Sequence, residues 1–161
     1  MTQSSPKFRV KLAQTEDELR AAQRLRYDVF VTELGGSGDL VDYEAGLERD
    51  AFDPYFDHLI LYDDALIGDR GPTAVGVYRL LPHEGAARLG RYYSEDEYDL
   101  TPLRQTGRRL LELGRSCLHP NYRGGSAMYV LWQALANYVH KHDVQVLFGV
   151  ASFHGTNIDE I

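Results

Sequence analysis

The chain opens on a strict alternation. Phe8, Val10 and Leu12 are separated by Arg9 and Lys11, a period of two that predicts a half-buried strand. Thr15, with Glu18 three residues on, is a capping box: the hydroxyl takes a free amide of the first turn and the carboxylate reaches back. Leu19, Ala22, Leu25, Val29 and Phe30 then share one side of a helix expected to end near Gly35-Gly36. Leu34 to Arg49 is rich in glycine and acids, and a loop of that length without structure of its own usually carries function. His58 to Tyr62 and Ala74 to Leu81 read as strands joined through Gly-Asp-Arg-Gly-Pro. Arg88 to Leu103 has no clear period. Arg109 to Leu118 reads as a strand, and Asn121 to Ser126 as a turn into a strong helix with Met128, Leu131, Trp132, Leu135, Tyr138 and Val139 at helical spacing. Val144 to Ala151 is almost continuously apolar, as in a strand covered on both faces. The order β-α-β-β-β-α-β predicts a mixed sheet with helices among its strands, of the α/β (α+β) class. An apolar strand so near the last residue would form a sheet edge, so further chain or a partner is expected to cover it.

Composition narrows the class. With 161 residues, 43% of them hydrophobic and 25% charged, the chain has the size and balance of one folded domain over residues 1–161. No internal repeat is present, and no apolar run approaches the roughly 20 residues of a membrane helix. The first residues lack the apolar region of an export signal, and one cysteine, Cys117, cannot form an internal disulfide; both fit a reducing cytoplasm. The net charge of −7 argues against nucleic acid, whose binding depends on neutralising phosphates. That charge is uneven: residues 1–64 hold 7 basic and 14 acidic side chains. Thr101 to Arg123, by contrast, carries Arg104, Arg108, Arg109, Arg115 and Arg123 against Glu112 alone. An arginine cluster on an acidic protein suits a small anionic ligand or an acidic protein partner, and is otherwise a solvated basic face.

The densest chemistry lies from Leu110 to Gly125. A strand running through glycine-rich backbone into a helix N-terminus makes an anion site, because free amides and the helix dipole point the same way. His119-Pro120-Asn121-Tyr122-Arg123-Gly124-Gly125 resembles the acyl-donor loop of the GNAT acyltransferase superfamily. Ser126 and Met128 stand where that loop usually has glycines, which favours the single phosphodiester of an acyl carrier protein's phosphopantetheine arm over coenzyme A. Leu25-Arg26-Tyr27-Asp28-Val29-Phe30, Gly76-Val77-Tyr78-Arg79-Leu80 and the Glu112/Arg115 pair are similar to segments of the acyl-homoserine-lactone synthases. Gly35-Gly36 replaces a tryptophan that lines their nucleotide pocket, so that co-substrate is not expected. The ordered set, with Glu48 to Leu59 and Phe148 to Gly155, most resembles the ornithine-acyl-carrier-protein N-acyltransferases, whose members are longer than this chain.

The resemblance implies a GNAT-like, mostly antiparallel sheet flanked by helices, with its C-terminal strands missing. It implies transfer of a 3-hydroxyacyl chain from acyl carrier protein to the α-amino group of ornithine, without a tightly bound cofactor or metal. The alternatives are a synthase acylating another amine and a non-catalytic remnant that still binds carrier protein. A lyso-lipid product would bring transient contact with the inner membrane surface. Ser116, Cys117, Leu118, Arg123, Gly124, Gly125 and Ser126 would hold the donor, with amides of Arg115–Cys117 facing the oxyanion. Cys117 has no adjacent base and reads as a packed thiol. Glu112 would take the amine proton, or else pair with Arg115; His154 could assist. Arg26, Phe30, Arg79 and Arg115 are substrate-binding candidates, the arginines being equally suited to internal ion pairs. Asp50 and Asp53, close and like-charged, suit a diamino acid, or else belong to an acidic loop or a helix cap.

Overall fold

Hydrophobic alternation in one central strand decides the architecture. Leu59 and Leu61 face one side of the sheet and Ile60 and Tyr62 the other, all nearly inaccessible to solvent. Both faces must therefore be covered. The computed structural model describes residues 5–68 and 71–151. Its main sheet contains β1 (Phe8–Leu12), β4 (Asp57–Gly68), β5 (Gly71–Pro82), β6 (Leu110–Leu118) and β7 (Val146–Phe148), in the order β1-β4-β5-β6-β7. All pairings are antiparallel except β6 with β7.

Helix α1 (Glu16–Arg26) covers one face, packing Ala22 and Leu25, with Val29 just beyond its end, against Ile60, Tyr62, Val77 and Cys117. Helix α4 (Ser126–Lys141) covers the other through Ala127, Leu131, Leu135 and Tyr138. The Thr15 hydroxyl caps α1 as expected, and the Glu18 carboxylate reaches back, accepting the Gln14 amide at 2.8 Å. Beyond Arg26 the helix widens into a π-helical stretch, Tyr27–Glu33, and stops at Leu34 with Gly35 left-handed at φ +72°. Gly36 donates to the Phe30 carbonyl at 2.8 Å, and a Cβ there would lie 2.5 Å from that oxygen. This residue must be glycine for the helix to end here.

The predicted order of major elements is the observed one, with additions and one correction. The Leu34 to Arg49 segment contains a small hairpin, β2 (Val41–Asp42) and β3 (Leu47–Glu48). Arg88 to Leu103 lacks a period because it is made of short pieces: the end of α2 (His83–Leu89), a 3-10 turn at Tyr93–Asp96, and the start of α3 (Thr101–Arg104). The last strand was expected over Val144 to Ala151 and covered on both faces. It spans only Val146–Phe148 among the described residues, and Leu147 is 45% exposed, so its outer position is not buried. In the described residues no helix is long and apolar enough to cross a membrane.

Candidate active site

Two breaks in the sheet shape the site. β7 pairs with Leu110, Leu111 and Glu112 only, so β6 runs on from Leu113 to Leu118 without a β7 partner among the described residues. On its other edge β6 bulges: Val77 pairs with Cys117 and Arg79 with Gly114, leaving Arg115 and Ser116 opposite Tyr78. Arg115 has φ +49°, an uncommon value for a residue with a side chain. A bulge of this kind takes backbone groups out of the ladder and turns them towards other partners.

Beside the bulge lies a pocket of about 450 Å³. Val29, Phe30 and Leu34 form one wall, Ser116–Leu118 the floor, and Arg123, Gly124 and Met128 the other side. Ser116, Cys117, Leu118, Arg123 and Gly124, grouped by the sequence reading, line one pocket, and Phe30, which that reading placed with the acceptor, lines it too. Gly125 and Ser126 do not line the pocket; they are the N-cap and first residue of α4. No side chain caps that helix, so its first-turn amides and the positive end of its dipole remain available to an anion. Gly124, at φ +73°, makes the left-handed turn that brings them there. Arg123 donates to both oxygens of Glu33, at 2.6 and 2.7 Å, and to the Leu118 carbonyl at 3.1 and 3.2 Å. Burial pushes the Cys117 thiol up to about 12, which makes it a packed wall group rather than a nucleophile.

A second cluster is buried on the α1 side. Arg26, 1% exposed, forks onto Asp53 with two 2.8 Å bonds, donates to the Glu48 carbonyl at 2.6 Å and places Nε 2.5 Å from the Glu48 carboxylate. Arg79, equally buried, donates to Asp50 at 2.7 and 2.8 Å and to Asp53 at 2.9 Å, and stacks 4.3 Å over the Phe56 ring. Arg115 donates to Glu48 at 2.9 Å. Three guanidinium groups therefore face three carboxylates. Burial alone would raise the Asp53 carboxyl, but the bonds and charge of Arg26, with Arg79 and His58, outweigh it and hold Asp53 well below the usual carboxylate range. Of the two readings open for Arg26 and Arg79, the geometry supports internal ion pairing; Asp50 accepts the amides of Phe52 and Asp53 at 2.9 and 3.0 Å, as a cap does, and Asp53 has no oxygen free for an incoming amine.

The pairing of Glu112 with Arg115 is corrected. Arg115 is taken by Glu48, and Glu112, 2% exposed, accepts the amides of Tyr93 and Ser94 at 2.7 Å each and the Ser94 hydroxyl. It anchors the Tyr93–Asp96 turn instead of presenting an open carboxylate. The arginine-rich stretch also changes character on folding. Arg104 pairs with Glu95, Arg109 with Glu84, Arg115 with Glu48 and Arg123 with Glu33, which leaves Arg108 exposed and unpaired among the described residues. Charges clustered in sequence are thus neutralised one by one in space. His154 lies outside the described residues.

Residues 25–133 match the acetyltransferase (GNAT) domain family. This chain belongs to that family. An L-ornithine N(alpha)-acyltransferase of Rhodobacter capsulatus is 57% identical over 94% of this GNAT chain and 58% of its own length. One of Brucella abortus is 41% identical over 91% of this chain and 53% of its own. The chain therefore spans little more than half the length of these relatives. Among solved structures, the acyl-homoserine-lactone synthase LasI superposes with a TM-score of 0.61 at 18% identity, covering 90% of this chain and 72% of that one, which shows the shared fold.

Within this GNAT domain, sequence reasoning missed residues that act through partners. Glu48 links Arg26 to Arg115, and Glu33 holds Arg123. Tyr93 carries Arg79 and Arg115 over its ring, each 5.5 Å from the centroid. A charge at the end of a β-hairpin or a helix carries no periodic signal, so only the fold reveals these pairings.

Proposed function

We propose that this chain transfers a 3-hydroxyacyl group from the phosphopantetheine arm of acyl carrier protein to the α-amino group of ornithine. The carrying observation is the pocket beside the β6 bulge. Its apolar wall of Val29, Phe30, Leu34 and Met128 suits an acyl chain, while Arg123 and the uncapped amides of α4 suit the arm's phosphate. The strong similarity to L-ornithine N(alpha)-acyltransferases supports ornithine as acceptor.

In this reading the free amine attacks the thioester carbonyl, the C–N bond forms, the C–S bond breaks and the pantetheine thiolate leaves with the proton the amine gives up. Backbone amides of Arg115–Cys117, at and beside the bulge, face the carbonyl oxygen as negative charge develops there. The acid-rich hollow of about 680 Å³ whose lining includes Asp39, Asp42 and Glu44, with Arg49, receives the cationic acceptor. Glu112 enters as a positioning residue, through Tyr93. The product, a lyso-lipid, leaves towards the cytoplasmic surface of the inner membrane.

The test is mass spectrometry of products after incubation with 3-hydroxyacyl carrier protein and ornithine, lysine, glutamine or no amine. N-acyl-ornithine is the expected product. Preferred acylation of another amine, or bound carrier protein without amide formation, contradicts the proposal.

A further inference from the structure

The Glu33–Arg123 ion pair joins the two walls of the donor pocket. Glu33 closes the π-helical stretch that supplies Val29 and Phe30, and Arg123 sits in the turn that supplies Gly124. Resting on the donor reading above, we propose that Glu33 and the donor's phosphate compete for Arg123, which makes Glu33 a specificity-determining residue for phosphate-bearing donors.

The geometry supports exchange rather than a permanent tie. A carboxylate and a phosphate offer the same pair of oxygens to a guanidinium fork, so one can replace the other without moving the arginine. Arg123 is also bonded to the Leu118 carbonyl, which keeps it at the end of β6 when Glu33 leaves. The Glu33 side chain is 31% exposed and that of Arg123 is 42% exposed, so the carboxylate can turn into water at little cost. The phosphate has an advantage that Glu33 lacks. No side chain caps α4, whereas a group with more oxygens can bridge Arg123 and the first-turn amides together. The hydrogen bonds from Arg123 hold the Glu33 carboxyl below its ordinary value, so Glu33 competes as an anion at neutral pH. A thioester without phosphate makes no such exchange, so Arg123 supplies the preference for carrier-bound or phosphorylated donors and Glu33 tempers it.

The test compares dissociation constants of 4′-phosphopantetheine and of pantetheine for the unaltered chain, Glu33→Gln, Glu33→Ala and Glu33→Gln/Arg123→Ala, each with its thermal midpoint. Removing an exposed ion-pair competitor is expected to tighten 4′-phosphopantetheine binding about two- to fivefold in both Glu33 variants. Pantetheine binding stays unchanged, and the gain disappears when Arg123 is also removed. Weaker or unchanged phosphopantetheine binding in the Glu33 variants overturns the competition while leaving the donor reading intact, and so does an equal gain for pantetheine. If the unaltered chain binds neither compound, the donor reading falls and the competition with it.

Discussion

Glu112 accepts the backbone amide of Tyr93 at 2.7 Å, and the Tyr93 ring lies beneath both Arg79 and Arg115. One carboxylate at the last β6–β7 rung therefore positions an aromatic platform for two arginines of the buried network. Glu112→Gln keeps the shape but turns an NH₂ towards an amide N–H, and is expected to cost about 2–3 kcal/mol of stability. Ser94→Ala removes only the hydroxyl bond and should cost about 1 kcal/mol. Urea unfolding of both variants checks this. A Glu112→Gln chain of unaltered stability that loses turnover and one limb of its pH–rate profile would instead make Glu112 the proton acceptor.

Breaking the Arg26–Asp53 fork leaves a buried charge without its partner. Asp53→Asn or Arg26→Ala is expected to lose about 3–5 kcal/mol. Arg26→Lys should rescue little, because an ammonium cannot bond both Asp53 oxygens and the Glu48 carbonyl in the same plane. Equilibrium denaturation of the three variants reads the difference.

Acid should unfold the chain in two stages. Burial lowers the His58 imidazole below its ordinary 6.5, so the unfolded chain binds that proton first, and stability falls as the pH drops through 6.5. Asp53, held well below its ordinary 3.8, contributes stability that is fully present above that value and is lost as the pH falls further. Denaturation midpoints between pH 2 and pH 8 should show both slopes, with His58→Gln removing the upper and Asp53→Asn reducing the lower.

Cys117 should resist iodoacetamide in the folded chain and react once unfolded, since its thiol is buried and pushed up to about 12. Cys117→Ala should retain acyl transfer and lose about 1 kcal/mol of stability through lost packing. Complete loss of transfer in a folded Cys117→Ala chain would assign the sulfur a chemical role.

Gly36→Ala places a methyl 2.5 Å from the Phe30 carbonyl oxygen, a backbone atom that cannot turn aside. The end of the π-helical stretch must shift, and Phe30 and Leu34 shift with it. A loss of about 1–3 kcal/mol and weaker donor binding are expected together, read by thermal melting and titration.

Periodicity made the core elements legible. Phe8, Val10 and Leu12 alternate because β1 has one face on α4, and Leu131, Leu135 and Tyr138 repeat because α4 has one face on the sheet. The glycine turn was legible too, since Arg123 to Gly125 sit between a strand and a helix in sequence as in space. The roles of charged residues were not. Arg115 lies three residues from Glu112 on one strand, yet the bulge and its left-handed φ send it to Glu48, 67 positions away. Asp50 and Asp53 read as an open acidic pair because nothing local shows that Arg26 and Arg79 arrive from α1 and β5. The arginine run from Arg104 to Arg123 likewise looked like a docking face until Glu33, Glu48, Glu84 and Glu95 came to meet it.

The most direct test of the account is photo-crosslinking with carrier protein whose pantetheine arm holds a diazirine-bearing acyl chain. If the pocket beside the β6 bulge takes the donor, labels fall on peptides containing Phe30, Leu34 and Met128, and unlabelled acyl carrier protein suppresses them. Labels confined to the Asp39–Ala51 hollow, or spread over the surface without competition, would contradict it.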